Sequence, residues 1–329
     1  MSKVFIYYFL LVIICIGGVG FFVFKNSHFD NSYSDTKDGE VKISMSLPTY
    51  ELGGYQSEYA VVRNDEEIQA DLFKDDCYAA LLVDNETNTA LVSHNSLRRI
   101  YPASTTKLMT ALVVCDALYE GKISLDDNVT LSHDIYIDEE GALVSQLNAG
   151  CTISVRNLMY GLLMRSYNDF AIILAEYVAG DVGTFCQMMN DKAAEIGATG
   201  SHFCNPHGLH DDNHYVTAYD MYLILLESEK YDIIKEIDSY TSFTYTYTNS
   251  QGVEMKDDIS PTNQFLVGGA SLPSNITIES WKTGTTEAAG NVLAMNVLID
   301  NKPYTVFVAD GTSPGDLYDK IAMMFNMTR

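Results

Sequence analysis

Strand-forming runs stand toward both ends of this 329-residue chain, and helix-forming runs fill the middle. Near one end, Cys77–Val83, a turn over Asp84–Asn88 and Thr89–Val92 predict a β-hairpin. Near the other, Ile276–Trp281, Asn291–Ile299 and Tyr304–Ala309 predict three more strands, with Asp300, Asn301 and Lys302 as the turn between the last two. Such a pattern has few solutions, because strands bury their apolar faces only by joining a sheet and being covered by another layer. The expected fold is one α/β unit: an antiparallel sheet built from both chain ends, flanked by helices, with a helical insert. A hydrophobic content of 47% can fill that core.

The middle supplies the helices. Pro102 suits the residue just ahead of a helix in which Leu108, Leu112, Cys115 and Leu118 recur at helical spacing. Val155, Leu158, Met159, Leu162 and Leu163 predict a second helix that stops at Arg165–Asn168. Asp169 reads as the N-cap of a helix over Phe170–Val178, with Gly180 as its terminator. Further helices are expected over Thr184–Ile196, Tyr219–Glu229 and Gly315–Met327, and a short loop-and-strand segment over Ile123–Thr130. Tyr240–Thr248 alternates aromatic and hydroxyl residues with period two, a strand with one wet face. No internal repeat is present.

Val4–Phe24 is an uncharged run flanked by Lys3 and Lys25, long enough to span a bilayer. The expectation is an uncleaved signal anchor over residues 1–24, with the N-terminus inside and the rest of the chain outside; a cleaved signal peptide is the alternative. Cys15 follows Ile13 and Ile14 rather than a small residue, which argues against a lipoprotein cleavage site. Residues 25–70 are polar and aperiodic and read as a stalk, leaving 71–329 as the catalytic domain. A net charge of −24 argues against nucleic acid or anionic lipid headgroups as partners. The six cysteines show no C-x-x-C pair and are expected as buried free thiols.

Three short motifs carry the chemistry. Ser104 and Lys107 lie three apart in the first helical turn and share one face, placing a hydroxyl beside an amine. Ser166-Tyr167-Asn168 sits at a helix-to-helix turn, and Lys282-Thr283-Gly284-Thr285 follows the Ile276–Trp281 run. Ser104 needs a base, and Lys107 serves if it is neutral, which a second cation at Lys282 would promote. Ser166 can relay a proton to a leaving amine, Asn168 can anchor a substrate amide, and Gly284 lets a substrate backbone lie flat on an edge strand. Backbone N–H groups of Ser104 and Thr285 are candidates for an oxyanion hole.

In this order the motifs match S-x-x-K, S-x-N and K-T-G, the set carried by penicillin-binding proteins and class A β-lactamases. The chain resembles the serine-type D-alanyl-D-alanine carboxypeptidases, low-molecular-mass penicillin-binding proteins. Tyr101–Leu112, Asn157–Leu163, His202–Leu209, Thr217–Asp220, Thr262–Phe265 and Lys282–Gly290 carry the likeness. It implies a β-lactamase/transpeptidase-like fold, an acyl-enzyme mechanism on peptidoglycan stem peptides, and β-lactams as covalent inhibitors. Ser104, Lys107, Ser166 and Asn168 are then the expected catalytic residues, with Lys282, Thr283, Gly284 and Thr285 binding substrate. No cofactor or metal is implied. His207, His210 and His214 have a spacing open to zinc, but Gly208, Asp212 and Asn213 make that stretch a loop.

Three departures bear on substrate choice. Tyr167 stands where the family usually has glycine, and its phenol is expected to narrow the cleft. About 45 residues follow Gly284, so the C-terminal β domain and amphipathic anchor of many relatives are not expected. The acidic stretch between Ser132 and Cys151 diverges from the family. A DD-endopeptidase or β-lactamase on the same scaffold is the alternative, the latter disfavoured by the lack of an E-x-x-L-N stretch. A non-catalytic wall-binding protein is a third reading, opposed by the intact reactive groups.

Overall fold

The computed structural model describes residues 77–310 and 313–328, together with Tyr59, Ala60 and Phe73. The expected anchor, Cys15 and all of the expected stalk except Tyr59 and Ala60 lie outside the described residues. Ala60 is buried in the core, its N–H donating to the Tyr222 hydroxyl at 3.1 Å and its carbonyl accepting from the Tyr219 hydroxyl at 2.8 Å. No described helix is long and apolar enough to cross a membrane.

The first and last described strands meet in one five-stranded sheet. Strands β1 (Cys77–Asp84), β2 (Thr89–His94), β7 (Ile276–Thr286), β8 (Gly290–Ile299) and β9 (Lys302–Asp310) are ordered β2-β1-β9-β8-β7, and every neighbouring pair is antiparallel. The period-two alternation of the strands divides their side chains between two cores. Ala79, Leu81, Val83, Val292, Ala294, Phe307 and Ala309 face the helical middle of the chain. Ala80, Leu82, Leu293, Met295, Val297, Val306 and Val308 face the C-terminal helix, α8 (Pro314–Phe325), which contributes Leu317, Ile321, Met324 and Phe325. A sheet covered on both faces needs near-continuous apolar strands, and β8 and β9 are such strands.

The insert holds α1 (Thr106–Tyr119), α2 (Val155–Tyr160), α3 (Asn168–Ala179), α4 (Val182–Glu195), α5 (Ala218–Ser228), α6 (Asp232–Asp238) and the single turn α7 (Gln264–Val267). Helix α1 is buried on nearly every side, including Lys107, and packs against α3, α4 and α5. Its all-round burial marks it as the centre of the domain.

The structure differs from the sequence reading at several points. A second, four-stranded sheet, β3 (Asn128–Thr130), β4 (Thr152–Ser154), β5 (Phe243–Thr248) and β6 (Glu254–Ile259), crosses the insert. Strand β6 reads EMKDDI and has no apolar alternation; its ladder with β5, rather than burial, makes it a strand. Strand β7 does not stop at Trp281 but continues through Lys282–Thr286, paired with β8 to the hairpin turn. Helix α2 passes into a π-helical turn over Gly161–Arg165. Asp169 is not an N-cap: α3 starts at Asn168, two residues before the expected Phe170, with Tyr167 at the cap position, and the Asp169 carboxylate accepts hydrogen bonds from Ser145. Of the described cysteines, Cys77, Cys115, Cys151 and Cys186 are free and buried, and Cys204 is free and half-buried.

Candidate active site

Ser104 lies in a 3₁₀ turn, Ala103–Thr105, that leads into α1. Lys107, one turn on, is fully buried, and its Nζ stands 2.9 Å from Ser104 Oγ, 2.7 Å from Asn168 Oδ1 and 2.6 Å from the His207 carbonyl oxygen. Asn168 cannot be turned the other way round, because its Nδ2 donates to the Leu143 carbonyl at 3.0 Å. Two of the three groups around Nζ are therefore pure acceptors. A neutral amine has two N–H bonds and one lone pair; the bonds go to Asn168 and His207, and the lone pair is left facing the Ser104 hydroxyl.

Electrostatics favour that neutral form. Burial, and after it the charge of Lys282, hold Lys107 well below the ordinary lysine value, opposed by Asp169. Lys282 is itself buried and pushed from 10.5 to about 7, with Asp238 pulling the other way. Its Nζ donates to the Thr283 carbonyl at 3.0 Å.

The Ser166-Tyr167-Asn168 turn brings the second motif to the same place. Ser166 has φ 66°, and its buried Oγ finds no hydrogen-bond partner among the described residues. An orphaned buried hydroxyl on the wall of a cleft is a group waiting for a ligand. Tyr167 does the opposite of what its size predicts. Its ring leaves the cleft and packs against Phe170 and Tyr245, with its hydroxyl 3.5 Å from Asp257. The adjacent aromatic side chains offer more apolar contact than the open cleft, so the phenol does not narrow it.

Edge strand β7 forms the facing wall. A Cβ on Gly284 would lie 2.8 Å from the Ser104 amide nitrogen and 2.9 Å from the Ala103 Cβ, so only glycine lets the strand approach the turn that carries Ser104. Between β7 and the Ser166 turn is a cleft of about 560 Å³, lined by Ser104, Ser166, Asn168, Thr283, Gly284 and Thr285 among others. All eight expected site residues thus converge, with Lys107 and Lys282 buried behind the lining.

Several contributing residues carried no assigned role in the sequence. Thr262 hydrogen-bonds to Thr283 across the cleft floor. Asp169, buried and raised by desolvation against the hydrogen bonds of Ser145, holds the 143–145 segment whose Leu143 carbonyl orients Asn168. The loop around His207 docks on α1 through Thr110 to the Pro206 carbonyl at 2.6 Å and His214 Nε2 to the Thr106 hydroxyl at 2.7 Å. His214 Nδ1 accepts the Cys204 amide, so its Nε2–H is the donor to the Thr106 hydroxyl, and His207 Nδ1 accepts the amide of Leu209, so both rings serve the loop. Burial pushes them down to about 3 for His207 and about 4 for His214. The N-P-H-G-L wording of that loop was visible in the sequence; the bonds it makes were not.

Known proteins are similar to this chain. D-alanyl-D-alanine carboxypeptidase DacF of Bacillus subtilis is 30% identical over 250 residues, which cover 75% of this chain and 61% of the relative. D-alanyl-D-alanine endopeptidase of Escherichia coli is 31% identical over 70% of each chain. The crystal structure of a Streptomyces DD-transpeptidase matches with a TM-score of 0.69 and 25% identity, covering 78% of this chain and 97% of that one. The chain spans between about half and three-fifths of several curated carboxypeptidases it matches. Residues 65–313 match the sequence profile of the D-alanyl-D-alanine carboxypeptidases, and the chain belongs to that family.

Proposed function

We propose that this protein is a serine DD-carboxypeptidase that removes the terminal D-alanine from peptidoglycan stem peptides through an acyl-enzyme on Ser104. The observation that carries the reading is the position of the buried Lys107 Nζ, 2.9 Å from Ser104 Oγ with two fixed acceptors on its other sides, where a neutral amine turns its lone pair to the hydroxyl. Lys107 takes the Ser104 proton as Oγ attacks the carbonyl carbon of the penultimate D-alanine. The oxyanion is received by the Ser104 and Thr285 amides. Ser166 relays the proton from Lys107 to the amine of the departing D-alanine as the C–N bond breaks, which returns Lys107 to its neutral form, and Asn168 holds the peptide in register. Water then adds to the ester carbonyl as Lys107 takes its proton, and Lys107 returns that proton to Ser104 Oγ as the ester C–O bond breaks and the shortened peptide leaves. A β-lactam enters the same path, its ring amide standing for the scissile bond, and leaves Ser104 acylated. The uncharged run Val4–Phe24 anchors the chain in the cell membrane with its catalytic domain on the outer side.

One observation favours a second reading, a DD-endopeptidase. Glu139, Glu140 and Glu287 line the cleft, and none of the residues that line it is Lys or Arg; Lys107 and Lys282 lie buried behind it. A free terminal carboxylate must be received there by Lys282 with the hydroxyls of Thr283 and Thr285. The deciding experiment compares a pentapeptide ending in D-Ala-D-Ala with the same peptide amidated at its C-terminus. Release of D-alanine from the free acid, with at least tenfold loss on amidation, is expected. Equal cleavage of both sinks the carboxypeptidase reading and leaves the serine chemistry to the endopeptidase.

A further inference from the structure

A second cavity, of about 490 Å³, opens beside the cleft. Its size falls within the range of about 300–1,000 Å³ usual for small-ligand sites. The two are neighbours across one hairpin turn, since Thr286 and Glu287 line the cleft while Ala288 lines the groove. They also flank one backbone segment: Tyr101 lines the groove and Ser104 the cleft.

The groove is basic in an acidic chain. In a chain of net charge −24, it carries the exposed pair Arg98 and Arg99. No carboxylate among the described residues pairs with either guanidinium. Arg99 is held over the Tyr215 ring, 4.3 Å from its centroid, which fixes the cation in place. The groove's one acid, Asp212, is engaged by the Tyr101 hydroxyl at 3.5 Å and by His210 at 3.4 Å. Tyr78, Tyr101 and Tyr215 add flat faces and phenolic hydroxyls. Solvated surface arginines need neither a cavity nor a ring beneath them. Unpaired guanidiniums beside aromatic faces match an anionic sugar or polyol, bound by stacking and by forked hydrogen bonds to its acid group.

We infer that the groove formed by Arg98, Arg99, Tyr101 and Tyr215 is a second binding site for an anionic segment of the cell-wall polymer, holding the chain while an attached peptide reaches Ser104. The ligand is a carboxylate- or phosphate-bearing carbohydrate segment. The inference rests on the wall being the substrate, a reading tested separately by D-alanine release from soluble pentapeptide.

The test is co-sedimentation of the full chain with purified wall sacculi, before and after hydrofluoric acid has stripped their phosphate polymers. Binding should weaken at least tenfold in Arg98→Ala/Arg99→Ala and recover partly in Arg98→Lys/Arg99→Lys. Penicillin labelling and soluble pentapeptide turnover should stay within twofold of the parent, which certifies the fold. Loss of parental binding on stripping assigns the ligand to phosphate, and retention assigns it to wall carboxylates. Unchanged sacculus binding by the alanine pair overturns the site. Should that pair fail to fold, the parent alone decides: its binding must fall as salt rises from about 50 to 200 mM, and salt-independent binding overturns the proposal.

Discussion

Gly208 offers the sharpest test of how the site is held together. It has φ +87°, and a Cβ there would stand 1.9 Å from the Ala103 carbonyl oxygen. Ordinary contact begins at 3.4 Å, so Gly208→Ala must part the two segments by 1.5 Å (3.4 minus 1.9). Both segments are critical. Ala103 immediately precedes Ser104, and His207, just before Gly208, supplies the carbonyl that holds Lys107 at 2.6 Å. Misplacing reacting groups by about 1 Å costs roughly 100-fold in rate, so acylation by penicillin should fall at least that far. Stability should fall less dramatically. The left-handed conformation costs an alanine about 1–2 kcal/mol and the overpacking about 1–3 kcal/mol. At about 2–4 °C per kcal/mol for a domain of this size, the melting temperature drops by roughly 4–20 °C.

The assay pairs time-resolved labelling by fluorescent penicillin with a thermal melt, and Gly121→Ala is its control. Gly121 has φ +68° but nothing within 4 Å of its Cβ position, so that variant bears the conformational cost without the clash. It should melt a few degrees lower and acylate normally. A folded Gly208→Ala that acylates within threefold of the parent refutes the reasoning. Equal loss of acylation in Gly121→Ala refutes it as well, because backbone strain alone would then suffice.

Lys282 folds with its pKa lowered from 10.5 to about 7, so between those values only the unfolded chain holds the proton. Its cost is complete below about 7 and disappears above 10.5, stability climbs with pH across the window, and Lys282→Met should flatten the climb in urea midpoints measured from pH 7 to 10. The same substitution removes the charge that lowers Lys107, so the acid limb of the acylation profile should move to higher pH; an unmoved limb contradicts the coupling. Tyr167→Ala should cost about 3–5 kcal/mol of stability by emptying the aromatic pocket, whereas Tyr167→Phe loses only the weak bond to Asp257, about 1 kcal/mol at most. Neither should change the ratio of peptide turnover to penicillin acylation by more than about twofold, and a changed ratio would place the ring in the cleft.

What could be read in the chain follows physical range. The strands of the main sheet were legible because both their faces are apolar, and apolar runs bounded by turn residues are local signals. Strand β6 was not, since its polar residues become a strand only through β5, a partner found in space. The site divides in the same way. Ser104 and Lys107 are adjacent on one turn, so their pairing follows from helical spacing. That Asn168 and a main-chain carbonyl at His207 would take the two N–H bonds of Lys107 depends on contacts across 61 and 100 residues. Tyr167 misled for a related reason: its size was readable, but not the neighbouring Phe170 and Tyr245 rings that draw it out of the cleft.

Backbone strain joins these pieces. Six non-glycine residues among those described have positive φ, and four of them are Asn or Asp in turns, where that conformation is common. The other two are Ala103, at φ 47°, and Ser166, at φ 66°, one beside the candidate nucleophile and one the candidate proton relay. Each costs on the order of 1–3 kcal/mol and persists only where its surroundings leave no alternative. At Ala103 those surroundings are two glycines from distant parts of the chain. Gly208 meets its carbonyl on one side, and Gly284 meets its Cβ and the Ser104 amide on the other. The glycine of N-P-H-G-L and the glycine of K-T-G therefore share one physical task. They let a loop and a strand close on a strained turn tightly enough to hold it, which fixes Ser104 against Lys107 before any substrate arrives.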